Sequence, residues 1–70
     1  MKKNTEWMEG LLHAEDVCEG SGMVMATNQY SYYVKTGKKA NGTKYRYEWL
    51  KGFQQGIEHY RLLDGMGILQ

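Results

Sequence analysis

The residues in this chain able to do chemistry are few: His13, His59, Cys18 and scattered carboxylates. An enzyme this short has to show its acid, base or nucleophile within a handful of positions, and these do not form such a set. His13 lies four residues after Glu9 and three before Asp16, which on a helix gives adjoining faces and an ordinary charged surface. His13 and Cys18 are five apart and lack the spacing of zinc ligands, and His59 has only Glu58 and Arg61 near it in sequence. Cys18 falls on an apolar stripe and reads as a small buried hydrophobe rather than a nucleophile. Gly20-Ser21-Gly22 and Gly65-Met66-Gly67 punctuate the chain without forming a phosphate-binding loop. The expectation is a protein that binds rather than catalyses, with no metal and no cofactor.

A second set of residues points to binding. Tyr30, Tyr32, Tyr33, Tyr45 and Tyr47 are interleaved with Lys35, Lys38, Lys39, Lys44, Arg46 and Lys51. Flat aromatic faces beside mobile cations are the two ingredients of single-stranded nucleic-acid binding, stacking and phosphate neutralisation. They serve a protein interface equally well, because tyrosine and arginine dominate interface hot spots and lysines steer an acidic partner. A plainer reading also stands, in which alternate tyrosines face the core and the lysines keep a hairpin tip in solvent. The residues expected to carry binding are Tyr32, Lys35, Lys38, Lys39, Lys44, Tyr45, Arg46 and Tyr47.

The elements that must position them follow from periodicity. From Thr5 to Glu19, Trp7, Met8, Leu11, Leu12, Ala14 and Cys18 recur at steps of three and four and line one helical stripe. Asn4 or Thr5 can cap it, Glu6 and Glu9 suit its N-terminal end, and Gly20-Ser21-Gly22 stops it. A second helix spans about Glu48 to Asp64, with Trp49, Leu50, Phe53, Ile57, Tyr60 and Leu63 as its stripe and Gly65 as its stop. Between them Met23 to Thr27, Tyr30 to Thr36 and Thr43 to Tyr47 are rich in β-formers and predict strands, with 37 to 42 as a hairpin loop and Asn41-Gly42 at its turn. A helix over residues 23 to 34 is the competing reading, since Met23, Ala26, Tyr30, Tyr33 and Val34 would then share a face.

Laid 42 residues apart, the two predicted helices match: Trp7-Met8-Glu9-Gly10-Leu11 falls on Trp49-Leu50-Lys51-Gly52-Phe53, and Ala14 falls on Gly56. Gly10 and Ala14, like Gly52 and Gly56, stand four apart on one face, where small residues let two backbones approach closely. Glycine inside a helix costs roughly 1 kcal/mol against alanine, and a close helix contact gives these glycines their reason. The expected fold is α+β: an N-terminal helix, a β-hairpin or short meander and a C-terminal helix in one domain, the helices crossing at these small residues. An all-α helical hairpin is the alternative.

Seventy residues are near the lower limit for a chain that folds without cross-links, so a second copy is expected to complete the core as a homodimer, using the apolar tail Met66, Ile68 and Leu69. A lone cysteine and the lack of an apolar leader or a membrane-length apolar run predict a cytoplasmic protein that does not engage membranes. The net charge of +1 conceals an uneven distribution. Glu6, Glu9, Glu15, Asp16 and Glu19 make the start acidic, while the middle holds six Lys and Arg against Glu48. That asymmetry suits docking on a polyanion, head-to-tail self-association, or attraction between the two parts of one molecule.

In Trp7-Met8-Glu9-Gly10-Leu11 and Trp49-Leu50-Lys51-Gly52-Phe53, with Asn28-Gln29-Tyr30 between them, the chain resembles the small ribosome modulation factor-like proteins. That resemblance implies two short helices carrying an aromatic-x-x-Gly-aromatic pattern about an Asn-Pro-Tyr-like linker, and binding to ribosomes. Gln29 stands where that family's linker has proline, and the first helix is acidic where that family's is basic. In being compact, single-domain and free of proline, the chain also resembles the accessory proteins of tailed phages, many of which inhibit a host enzyme or defence complex by binding it. Together these give a non-enzymatic inhibitor or regulator that docks on a host protein or nucleoprotein complex through the tyrosine-lysine segment. The alternative is a ribosome- or RNA-binding regulator.

Overall fold

The computed structural model describes residues 5–68, with side chains described as far as residue 62. Among these residues the elements are helices: α1 (Thr5–Ser21), α2 (Met23–Thr36) and α3 (Tyr47–Ile68). No strand or sheet occurs among them, and the only extended pairing is an isolated antiparallel bridge between Lys38 and Lys44. The expected α+β fold is therefore corrected to an all-α one.

α2 forms where strands were expected because helical spacing buries the right residues. At steps of three and four, Met23, Ala26, Tyr30 and Tyr33 turn toward the other helices; Ala26 and Tyr33 are buried and Met23 and Tyr30 half-buried. A strand would have placed Tyr30 and Tyr32 on one face and Tyr33 on the other. Val34, counted on the packed face of the helical alternative, is half exposed.

The sequence match between α1 and α3 has a structural counterpart. A Cβ built on Gly10 would overlap the backbone carbonyl of Trp49, and one on Gly52 would overlap the carbonyl of Trp7. A Cβ on Gly56 would lie 2.7 Å from that of Ala14. Residue 10 thus faces 49 to 53, residue 52 faces 7 to 11, and 14 faces 56, so the two helices run in the same direction and exchange equivalent contacts across a pseudo-twofold relation. α2 returns antiparallel between their ends, since it begins beside the end of α1 while its Tyr33 reaches back to His13.

Gly22 makes the reversal possible. At φ 96° its N–H donates to the carbonyls of Val17 and Cys18, closing α1, and its carbonyl accepts from the N–H of Ala26, opening α2. α3 runs through Gly65 to Ile68, so the helix stop expected at Gly65 is also corrected: a glycine stops a helix where the chain turns left-handed, as at Gly37 after α2. The expected cap at Asn4 and the side chains of Leu63, Met66, Ile68 and Leu69 lie outside the described residues.

The core comprises Ala14, Cys18, Ala26, Tyr33, Trp49, Phe53 and Ile57, with no buried polar or charged side chain outside this set among the described residues. Its centre is aromatic. The Tyr33 ring stands edge-on to Phe53 (5.3 Å) and to Trp49 (5.2 Å), contacts worth about 0.5–1.5 kcal/mol each beyond the area they bury. On the first stripe Met8 and Leu12 remain exposed while Trp7 and Leu11 are half-buried. Among the described residues no helix is long and apolar enough to cross a membrane.

Candidate functional site

The connection between α2 and α3 carries four of the chain's nine Lys and Arg residues and is built by its own hydrogen bonds. Gly37, at φ 74°, ends α2 and donates its N–H to the Tyr33 carbonyl at 2.8 Å. The Thr36 hydroxyl donates to the Tyr32 carbonyl and accepts from the Lys38 N–H, which fixes the exit direction. Residues 39–43 then make a tight turn: the Lys39 N–H donates to the Thr43 carbonyl at 2.8 Å and the Gly42 N–H to the Lys39 carbonyl at 2.9 Å. Asn41 Oδ1 accepts the Thr43 N–H at 3.0 Å, and Gly42 takes φ 87°, so Asn41-Gly42 does form a turn, between helices rather than strands. The Arg46 carbonyl accepts the first helical N–H groups of α3, from Trp49 and Leu50.

Tyr45 fastens this connection to the core. Its ring stacks on Trp49 at 5.3 Å and its hydroxyl donates to the Tyr33 carbonyl at 2.5 Å. Burial, with a lesser contribution from Tyr30, raises the Tyr45 phenol above its ordinary pKa; burial, with a lesser contribution from Tyr32, does the same for Tyr33.

The expected binding residues are thereby divided. Tyr32 (51% exposed) and Tyr47 (70% exposed) present aromatic faces to solvent, and Lys51 Nζ lies 5.5 Å from the Tyr47 ring centre. Lys35, Lys38 and Lys44 are exposed. Arg46 Nε lies 3.7 Å from Glu6, and Lys39 Nζ lies 3.8 Å from Glu9 and 5.0 Å from the Trp49 ring centre. Two of the cations are thus shared with the acidic start of the chain, and Tyr45 turns its hydroxyl inward as an anchor of the connection. No family model, curated protein or solved structure matches the chain.

Sequence reasoning missed a groove of about 440 Å³ lined by Glu9, His13, Lys39, Ala40, Asn41 and Trp49. His13, plain helix surface by its spacing alone, is an exposed residue whose ring leans on the aromatic core, 5.8 Å from Trp49 and 5.6 Å from Phe53, with Nε2 3.5 Å from the Tyr33 hydroxyl. The four-residue step from Glu9 to His13 was visible; that the 39–41 turn folds over it was not. His59 has a partner far away in sequence, its Nδ1 lying 2.8 Å from Glu15 and linking α3 to α1. Cys18 is buried in the core.

Proposed function

We propose that this chain is a non-enzymatic regulator of the kind that the accessory proteins of tailed phages provide, docking on a larger host nucleoprotein complex through the α2–α3 connection. The observation that carries this reading is the exposed group Tyr32, Lys35, Lys38, Lys44 and Tyr47, carried by the end of α2, the start of α3 and a connection whose backbone is tied down at both ends. A fixed presentation lowers the ordering cost of binding. Exposed lysines meet phosphates, and exposed tyrosines give stacking surface. The two aromatic-x-x-Gly helices, which pack on each other, are the part of the resemblance to ribosome modulation factor-like proteins that supports a nucleoprotein partner; Asn28-Gln29-Tyr30 lies inside α2 and not in a linker. Capture of partners from a host lysate, repeated after ribonuclease treatment, tests the reading. Retention of a ribosomal or other RNA-containing complex that ribonuclease releases supports it, and capture unchanged by a Lys38→Glu, Lys44→Glu double variant would refute it.

A protein-only target is the second reading, favoured by the exposed apolar side chains Met8, Leu12, Val24 and Met25 away from the basic connection. In that case the captured complex survives ribonuclease and its affinity falls only shallowly with salt.

A further inference from the structure

We infer that the groove between α1 and the 39–41 turn holds one unstacked base of a single-stranded RNA, guanine in preference to the others, a reading that rests on the nucleoprotein partner proposed above. Sequence-specific RNA recognition commonly takes a splayed base onto an aromatic or histidine face and reads its edge with side-chain hydrogen bonds. The groove offers each part. The ring of the exposed residue His13, backed by Trp49 and Phe53, supplies the face. Lys39 Nζ and Glu9 Oε1 stand 3.8 Å apart, farther than a hydrogen bond, as a donor beside an acceptor. Guanine presents the complement along one edge: O6 accepts from Lys39, while N1–H and the N2 amino group donate to the two oxygens of Glu9. Asn41 Oδ1 is already used by the Thr43 N–H, which leaves its NH₂ to donate to the ligand. The volume, about 440 Å³, lies within the range of small-ligand sites.

The same turn provides for the flanking phosphate. Lys38 and Lys44 are paired across the chain's isolated antiparallel bridge, which sends both side chains to one side. Like charges directly opposite each other are destabilising, and an anion between them relieves that repulsion. A base in the groove and a phosphate between these lysines are successive parts of one strand. An arginine from a protein partner would meet Glu9 but also Lys38, Lys39 and Lys44, so the local charge disfavours it.

The test is a set of labelled hexaribonucleotides at fixed low salt: hexauridylate, the same oligomer with one guanosine, and the same with inosine in its place. One guanosine should tighten binding roughly tenfold, and inosine, which lacks only the N2 amino group, should lose most of that gain. Glu9→Gln should abolish the preference for guanosine over inosine, whereas Lys38→Glu with Lys44→Glu should weaken every oligomer alike. The inosine comparison leaves the protein untouched and so is immune to folding defects. Equal binding of all oligomers by the unaltered chain overturns the base site and leaves RNA docking standing. No binding of any oligomer overturns the docking reading itself.

Discussion

Replacing Gly52 by alanine drives a methyl group into the Trp7 carbonyl, and Gly10→Ala does the same at Trp49. Backbone cannot yield as a side-chain tip can, so each change should cost about 1–3 kcal/mol through overpacking. Gly20, also within α1, has nothing within 4 Å of a built Cβ and no positive φ. Gly20→Ala should therefore stabilise by about 0.5–1 kcal/mol through helix propensity alone. Thermal melts of Gly20→Ala and Gly52→Ala should move in opposite directions, by roughly 4–8 °C per kcal/mol in a chain of this size; movement in the same direction contradicts the close α1–α3 contact. Cys18 offers a second test at this scale. Burial, reinforced by the charge of Glu15, raises its thiol above the ordinary value. Alkylation of the native protein by iodoacetamide should be far slower than that of the urea-unfolded chain, and equal rates would show that the core is open around Cys18.

Among the elements, α1 and α3 were legible because their apolar residues repeat at helical spacing and their small residues form a ridge. α2 was not, because Met-Val-Met-Ala-Thr and Tyr-Ser-Tyr-Tyr-Val favour strands by composition, and local preference yields to whichever spacing buries more. Burial of Ala26 and Tyr33, seven residues apart, against the α1–α3 pair decides for the helix. The candidate site was legible in its residue types alone: the tyrosine-lysine segment stood out, but nothing in its order shows that Tyr33 and Tyr45 turn inward while Tyr32 and Tyr47 turn outward. The inward pair predicts a response to base. Both phenols have raised folded-state pKa values, so the folded state holds their protons more tightly than the unfolded chain, where tyrosine titrates near 10. Stability from this source is intact below about pH 10 and is lost as pH rises from there through the folded-state values. Circular dichroism with tyrosinate absorbance should show ionisation of Tyr33 and Tyr45 coinciding with loss of helix above that pH; their ionisation in a fully helical chain would contradict it.

Over the whole molecule, the acidic start and basic middle are brought side by side by the Glu6–Arg46 and Glu9–Lys39 pairs. Exposed pairs of this kind are worth about 0–1 kcal/mol, so their main effect is on the field a partner meets. Glu6→Gln should leave the melting temperature nearly unchanged while raising the salt needed to elute the protein from heparin. Unchanged elution would mean that the acidic helix does not moderate the basic surface.

The parallel run of α1 and α3 also governs the order in which the chain can fold. The closest backbone approaches of residues 7–14 are to α3 residues 39–45 positions further along, so α1 and α2 together lack the ridge that α1 requires, and Tyr33 lacks both Trp49 and Phe53. Contacts so distant in sequence close a large loop before they are rewarded. During translation, then, the first half of the chain leaves the ribosome without its packing partner, and the native core can assemble only after residues 49–57 have emerged.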